Sequence, residues 1–247
     1  MRTVHDLLAA LGWLTVVPVG KTADDARPAR FFPLVGLGLG LAGGIVAAGG
    51  ARISDGPLTD LLVGVAVVGT WAALTRLLHW DGLADTADGL LGGATPESRL
   101  NIMRDSHIGA FGVVAISLLI LLQAVAIGAL VAAGDIPGIV IAPVLGRIAA
   151  STALWTNRPA RSEGLAHALA GHGRLRGWIV AALPLLVVVV RPEWASVAVV
   201  AGGVALAFLI PRALGKRVGG VTGDIVGASV LLVETAMLIA FALTGGA

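Results

Sequence analysis

The chain has 247 residues, of which 57% are hydrophobic and only 13% charged, whereas a soluble domain carries about 25% charged residues. The net charge of +2 is too small to indicate a nucleic-acid partner, and the absence of cysteine excludes disulfides, thiolate nucleophiles and cysteine-ligated metals. With a mean hydropathy of +0.92, the composition predicts an all-α, polytopic integral membrane protein that forms a single domain over residues 1–247.

The first apolar run, from Leu7 to Pro18, is shorter than the ~20 residues of a bilayer-spanning helix and predicts an interfacial or re-entrant helix. Later apolar runs predict about seven membrane spans, the fifth of them short. In chain order they are Phe32 to Ala51, Leu58 to Leu78, Gly109 to Ala133, Ile136 to Trp155, Trp178 to Val190, Trp194 to Leu209 and Ile225 to Leu243. In the first span Gly36, Gly40 and Gly44 recur every four residues, which favours the close approach of another helix.

Basic residues are distributed unevenly between the two sides of this predicted topology. Thirteen lie in the N-terminal region and in the loops after the second, fourth and sixth spans: Arg2, Lys21, Arg27, Arg30, Arg99, Arg104, Arg158, Arg161, Arg174, Arg176, Arg212, Lys216 and Arg217. Only Arg52 and Arg191 lie in the links on the other side. The positive-inside rule therefore predicts that the three polar loops are cytoplasmic.

The loop after the second predicted span, between His79 and Phe111, is the most informative stretch. Asp81, Asp85 and Asp88 occur there at positions i, i+4 and i+7, which places them on one face of a helix. Carboxylates arranged in this way repel one another unless a cation lies among them, and no basic residue is interleaved. They therefore indicate a metal site, with a solvated helix end as the alternative interpretation.

The three polar loops bring further acids and bases to the same predicted face. These are Arg104 and Asp105 in the first loop, Arg158, Arg161 and Glu163 in the second, and Lys216, Arg217 and Asp224 in the third. Magnesium in proteins is typically held by one or two carboxylates together with substrate phosphate, and guanidinium groups bind phosphate oxygens. The combination predicts metal-assisted phosphoryl transfer.

Several of these residues also have a structural interpretation. Arg104 and Asp105 are compatible with a simple surface pair, and Asp224 is compatible with a cap of the last helix. The arginines of the second loop are compatible with positive-inside anchors. His79 and His107 flank the acidic stretch and are candidates for a general acid or base.

Two charged residues fall inside predicted spans. Arg147 lies near the middle of the fourth span and Glu234 near the middle of the last. Charges at such depths usually face a partner or a cavity. The two residues therefore either pair with each other or line the path of a substrate.

Two segments of the acidic stretch resemble the adenosylcobinamide-GDP ribazoletransferase (cobalamin synthase) family. They are His79-Trp-Asp81-Gly-Leu-Ala-Asp85-Thr-Ala-Asp88-Gly and Ile102-Met-Arg104-Asp105-Ser-His-Ile-Gly109. Three shorter segments agree with the same family: Phe32-Pro-Leu-Val-Gly36, Arg158-Pro-Ala-Arg161-Ser-Glu163-Gly164-Leu and Gly219-Gly-Val-Thr-Gly-Asp224. The resemblance extends from the region of Val17 and Pro18 to the last helix.

This resemblance implies a Mg²⁺-dependent inner-membrane enzyme that joins α-ribazole, or its 5′-phosphate, to adenosylcobinamide-GDP and releases GMP. On this hypothesis Asp81, Asp85 and Asp88 hold the metal, and Asp105 or Asp224 completes the site or acts as base. The candidates that neutralise phosphate charge are Arg104, Arg158 and Arg161. Further candidates are Glu163 and His79 for catalysis, and Arg147, Glu234 and Thr222 for substrate binding. A homo-oligomer is compatible with these features.

Two other functions are weighed against this one. A CDP-alcohol phosphotransferase also places spaced aspartates beside a span, but its pattern has Ala-Arg where this chain has Ala84-Asp85. A transporter or scaffold without chemistry would explain Arg147 and Glu234. The charged residues are, however, concentrated in loops rather than at the membrane midplane.

Overall fold

The computed structural model describes residues 2–19, 27–53, 56–171, 175–190 and 194–244. Within these ranges the secondary structure is helical, apart from one isolated bridge between Pro159 and Val221. The helices are α1 (Arg2–Leu14), α2 (Phe32–Ala51), α3 (Pro57–Leu74), α4 (Leu78–Gly92), α5 (Pro96–Ile102), α6 (Ala110–Ala132), α7 (Ile136–Thr156), α8 (Leu165–Leu169), α9 (Leu175–Ala182), α10 (Trp194–Lys216) and α11 (Gly223–Thr244). Two 3₁₀ segments accompany them, Pro28–Phe31 and Leu183–Val190.

Helix α7 forms the centre of the bundle and is buried along nearly its whole length. It packs against α2, α10 and α11. The contact with α2 depends on the predicted glycine repeat, since a Cβ at Gly36 would lie 2.5 Å from the carbonyl oxygen of Pro143. Gly40 in turn faces the backbone of Val140, and Gly44 faces its side chain. The predicted role of these glycines in close helix packing is confirmed.

Six of the described helical segments are long and apolar enough to span a membrane. They correspond to α2 with its preceding 3₁₀ turn, α3, α6, α7, α10 and α11. This agrees with the predicted all-α, polytopic fold. The difference lies in the fifth predicted span, where the eight-residue α9 is followed by the eight-residue 3₁₀ segment Leu183–Val190.

The three polar loops meet at one end of the bundle, which we call the loop face. Arg99 of the first loop donates a hydrogen bond to the carbonyl oxygen of Arg217 in the third loop, at 2.9 Å. Arg161 of the second loop donates one to the carbonyl oxygen of Leu100, at 3.0 Å. The Pro159–Val221 bridge joins the second loop to the third.

The second predicted span ends earlier than expected. Helix α3 stops at Leu74, and Arg76 and Leu77 then adopt positive φ angles of 51° and 59°. Residues other than glycine rarely adopt this left-handed conformation, so the chain changes direction at this point. Helix α4, which contains the aspartates, is consequently a separate element that packs against α6 and α11 at the loop face.

The N-terminal helix α1 has 13 residues and is too short to cross a bilayer, as predicted. Asp6 fixes it to the start of α2, because its carboxylate pairs with the Arg30 guanidinium and accepts a hydrogen bond from the Arg27 backbone at 2.7 Å. Trp13 and Leu14 at its end reach the region of the aspartates.

Candidate active site

Helix α4 contains the three predicted metal ligands, but it places them in three environments. Asp81 is exposed, Asp85 is partly buried, and Asp88 is buried at 8% exposure. Both carboxylate oxygens of Asp88 accept backbone hydrogen bonds, from Gly109 at 2.7 Å and from Gly112 at 2.9 Å. Asp88 therefore caps the start of α6, a role that the sequence analysis did not anticipate.

A close crossing of α4 and α11 brings Asp224 to the other two aspartates. A Cβ at Gly82 would lie 2.8 Å from the backbone oxygen of Asp224, and one at Gly227 would lie 3.3 Å from the Cα atom of His79. At Gly82 only glycine permits the two backbones to approach this closely. Residues 142 positions apart in the chain, 82 and 224, thus become neighbours.

Several carboxylates lie close together at this crossing and repel one another. Burial, together with the nearby carboxylates of Asp224, Asp81 and Asp88, raises the pKa of Asp85 to about 7, and the positive charge of Arg161 acts in the opposite direction. A carboxyl group whose pKa lies this close to neutrality is stabilised in its charged form by any cation that binds beside it.

Asp224 does not cap its own helix. Thr222 is the cap, since its hydroxyl accepts a hydrogen bond from the backbone N–H of Ile225 at 3.2 Å. The Oδ2 atom of Asp224 is buried and accepts no hydrogen bond. The nearest described cation is Arg161, whose guanidinium nitrogen lies 3.9 Å from that oxygen. The structural interpretation of Asp224 as a cap is therefore wrong. Its Oδ2 atom forms a long ion pair with Arg161 but accepts no hydrogen bond, which a ligand could supply.

Two cavities lie on either side of α4. The first, which we call the Arg161 cavity, has a volume of about 320 Å³ and is bordered by α1, α4, the second polar loop and the start of α11. The predicted site residues in its lining are His79, Asp81, Arg161, Glu163, Thr222 and Asp224.

The second cavity, which we call the α3–α6 cavity, has a volume of about 680 Å³. It is lined by apolar side chains of α3 and α6, and by Asp81, Asp85, Arg104 and Asp105 at the loop face. Asp81 lines both cavities. Helix α4 is consequently the wall between them.

His79 lines the Arg161 cavity and is buried at 3% exposure. Its Nε2 atom has no hydrogen-bond partner. Burial lowers the pKa of His79 well below its usual value, and the positive charge of Arg147 lowers it further. The imidazole is therefore neutral, which suits hydrogen bonding to a ligand and does not suit a permanent positive charge.

The described residues contain no group of three acidic or histidine side chains placed to hold a metal by themselves. Magnesium does not require such a cage, because it typically uses one or two carboxylates, substrate phosphate and water. One or two of the carboxylates of Asp81, Asp85 and Asp224, completed by substrate phosphate and water, fit this mode of binding. They are hard oxygen donors with excess negative charge at the edge of a cavity.

Comparison with known proteins identifies the family of this chain. The family model described as cobalamin-5-phosphate synthase matches residues 6–242. The chain belongs to the cobalamin-5-phosphate synthase family. It is thus a transferase of cobalamin biosynthesis, which decides against both the CDP-alcohol phosphotransferase and the transporter or scaffold.

Relatives named adenosylcobinamide-GDP ribazoletransferase are similar to this chain over nearly their whole length. A protein of Syntrophobacter fumaroxidans named adenosylcobinamide-GDP ribazoletransferase is 40% identical, covering 94% of this chain and 96% of its own. A protein of the same name from Prosthecochloris aestuarii is 39% identical, covering 92% and 93%. No solved structure matches the chain significantly.

Three other predicted site residues lie outside the Arg161 cavity. Arg104 and Asp105 are exposed at the rim of the α3–α6 cavity. A hydrogen bond from His107 lowers the pKa of Asp105, which makes Asp105 a weaker base than expected. Arg158 lines a separate cavity with Arg212, and it donates a hydrogen bond to the carbonyl oxygen of Gly219 at 2.9 Å.

Arg147 and Glu234 pair with each other at the centre of the bundle, each only 2% exposed. Gln123 extends the pair, donating hydrogen bonds to Glu234 at 3.4 Å and to Thr235 at 2.9 Å. Neither charged residue lines the Arg161 cavity or the α3–α6 cavity. The predicted pairing is confirmed, while their predicted contact with substrate stays a prediction.

Proposed function

We propose that this protein is an adenosylcobinamide-GDP ribazoletransferase that requires Mg²⁺. The reaction joins α-ribazole, or its 5′-phosphate, to adenosylcobinamide-GDP. The observation that supports this activity is the convergence of Asp81, Asp85, Asp224 and Arg161 between two cavities of the loop face. The names of the relatives supply the substrates.

In the proposed reaction a hydroxyl oxygen of the ribazole forms a bond to the phosphorus that is linked to cobinamide. The bond from that phosphorus to the bridging oxygen of GDP breaks, GMP leaves, and the hydroxyl proton passes to a base. Bound Mg²⁺ would neutralise charge on the phosphate oxygens. Asp81, Asp85 and Asp224 are the residues that would hold it, and Asp88 supports them by fixing the start of α6.

The positive charge of Arg161 faces the same region. Its hydrogen bond to Leu100 and its ion pair with Asp224 hold the guanidinium at the edge of the Arg161 cavity. An oriented arginine of this kind stabilises the negative charge that develops in phosphoryl transfer. The neutral His79 in the same cavity is placed to orient a phosphate or hydroxyl group through Nε2.

We also propose that the loop face is cytoplasmic and that the protein resides in the inner membrane. The excess of basic residues in the three polar loops supports this orientation. The nucleotide substrate would then be available on the side where the aspartates lie.

The test is an assay of purified protein reconstituted in bilayers, with adenosylcobinamide-GDP and α-ribazole as substrates. We expect GMP and adenosylcobalamin in equal amounts with Mg²⁺, and neither product with chelator. Asp85→Asn should lower turnover at least about 100-fold, as expected when electrostatic stabilisation of a phosphoryl-transfer transition state is lost. Glu97→Gln, an exposed acid of the same loop, is the control. Product formation by folded protein at an undiminished rate in chelator would contradict the metal requirement.

A further inference from the structure

The α3–α6 cavity differs from the Arg161 cavity in chemistry and in access. Its lining is mainly apolar, and one part of it comes from α3 and α6, which are both long enough to span a membrane. Val65 and Ile120 in this lining are 49% and 36% exposed. Because these side chains lie on membrane-spanning helices, the cavity opens sideways towards lipid and ends at the aspartates of α4.

Phosphoryl transfer imposes a geometric condition on the two substrates. The attacking oxygen and the leaving oxygen lie roughly in line, on opposite sides of the phosphorus atom. An active site that joins two substrates therefore needs to bind the acceptor on one side of the reacting phosphate and the leaving group on the other side. The two cavities on either side of α4, with Asp81 in the lining of both, provide this arrangement.

We propose that the α3–α6 cavity is the acceptor site: it binds the apolar aromatic base of the ribazole, which enters from the membrane, and presents the ribose hydroxyl at Asp81 and Asp85. This inference rests on the proposed function. The diphosphate of the donor then lies on the side of the Arg161 cavity, where Arg161 and the Oδ2 atom of Asp224 are found.

Volume and charge both favour this assignment. A cavity of about 680 Å³ lies within the range of small-molecule sites and suits a nucleoside-sized ligand. The indole of Trp80 and the side chain of Met103 line its inner part, and such surfaces suit a flat aromatic ring. The basic residue in its lining is Arg104, at the rim, whereas a diphosphate donor needs cations at the centre.

Gly69 allows the proposal to be tested by filling the cavity. It lies in the lining on α3, and a Cβ added there would meet nothing within 4 Å. Gly69→Leu therefore places a side chain in the cavity without disturbing the bundle. Gly38 on α2 is the matched control, because it is equally open and lines a different apolar cavity of about 350 Å³.

The measurement is steady-state kinetics with each substrate varied in turn. For Gly69→Leu we expect the KM for α-ribazole to rise about tenfold or more. The leucine side chain would occupy space that the aromatic base needs, and a change of even one methylene group in an apolar pocket has an effect of about this size. The KM for adenosylcobinamide-GDP should stay within about twofold of the wild-type value, as should both constants for Gly38→Leu. Ala72→Leu, one turn further along the same cavity wall, provides a second variant if Gly69→Leu folds poorly.

The outcomes separate this inference from the proposed function. Wild-type protein that forms no product contradicts the function and the acceptor site together. Active wild-type protein with unchanged kinetics in both cavity variants leaves the function intact and assigns the cavity to lipid. A rise confined to the KM for adenosylcobinamide-GDP would instead place the donor in the α3–α6 cavity.

Discussion

Asp85 is the residue whose chemistry is most sensitive to a bound cation. Its pKa of about 7 in the metal-free protein means that the carboxyl group holds a proton below neutral pH, and Mg²⁺ must displace that proton. We therefore expect the apparent affinity for Mg²⁺ to fall as pH decreases below about 7, by up to about tenfold per pH unit. Above about pH 8 the affinity should become constant.

Titration of the wild-type enzyme with Mg²⁺ at several pH values between 6 and 8.5 measures this dependence. Glu97→Gln should give the wild-type profile, because Glu97 is exposed and lies in α5, outside the lining of both cavities. A flat profile across this range would show that no proton is exchanged for the cation at Asp85.

Asp88 shows that residues with the same spacing need not share a role. Because its carboxylate receives the first backbone N–H groups of α6, we expect Asp88→Asn to destabilise the protein by about 1–2 kcal/mol. The loss should be the same with and without Mg²⁺. Asp81→Asn, at an exposed position of the same helix, should leave the melting temperature unchanged.

Thermal unfolding in detergent gives the comparison directly. If Asp88→Asn melts like wild type without Mg²⁺ and differs only when Mg²⁺ is added, Asp88 acts as a metal ligand, as the sequence alone suggested. The sequence pattern predicts that the three aspartates share a helix, and this is confirmed. It contains no signal for the tertiary partners Gly109 and Gly112, which lie more than 20 residues away.

At the scale of elements, the site depends on the crossing of α4 and α11. Gly82→Ala introduces a Cβ that would lie 2.8 Å from the backbone oxygen of Asp224, and backbone atoms cannot move aside cheaply. We expect the helices to separate and kcat to fall by about 100-fold, since a displacement of about 1 Å in a catalytic group can cost this much.

The matched control lies on the same helix. A Cβ at Gly92 would have its nearest neighbour at 3.6 Å, an ordinary contact, so Gly92→Ala should keep wild-type activity. Both variants replace glycine by alanine in α4, which removes helix propensity as an explanation. Equal activity of the two variants would show that the close crossing is not required for catalysis.

The sequence predicts well the helices that are marked by a long uninterrupted run of apolar residues. The charge-free α6 and the strongly apolar α2 are examples, and both agree with the predicted spans to within a residue. The second predicted span, by contrast, extends to Leu78, whereas α3 ends at Leu74. The break at Arg76 and Leu77 escapes prediction because neither residue type favours the positive φ that it adopts.

For the whole molecule, the composition is sufficient to predict a helical membrane protein, and the positions of the polar loops are sufficient to predict a common face. The choice between a buried pair and a substrate path at Arg147 and Glu234 requires the packing of α7 against α11. The second cavity likewise requires the packing of α3, α4 and α6 around it. No periodicity in these helices indicates such a gap.

The number of membrane crossings follows from the positions of the helix ends. Helix α7 and helix α10 both end at the loop face, since the Pro159–Val221 bridge joins the segments that follow them. The 23 residues of α10 span ~35 Å, so its start lies at the opposite face. The chain must therefore cross between α7 and α10, although the described residues there include no long helix.

Helix α9 and the 3₁₀ segment Leu183–Val190 can make that crossing. Eight α-helical residues rise ~12 Å and eight 3₁₀ residues ~16 Å, and the sum approaches the ~30 Å of the hydrocarbon core. The edge-to-face contact of Trp178 with Trp155, at 4.7 Å between ring centroids, places the start of this segment near the loop face. The longer rise per residue of the 3₁₀ segment thus compensates for the short apolar run.

Cysteine labelling tests this seven-crossing topology, and the absence of native cysteine allows single substitutions without a background. Ser98→Cys and Ser106→Cys report on the loop face, and Ala133→Cys, at the exposed end of α6, reports on the opposite face. Ala195→Cys, at the start of α10, distinguishes the two topologies. In sealed inside-out vesicles a membrane-impermeant maleimide should label the first two, whereas Ala133→Cys and Ala195→Cys should react only after permeabilisation. If Ala195→Cys reacts together with Ser98→Cys, α9 and the 3₁₀ segment do not cross, and the two ends of α10 lie on the sides opposite to those inferred from the bridge.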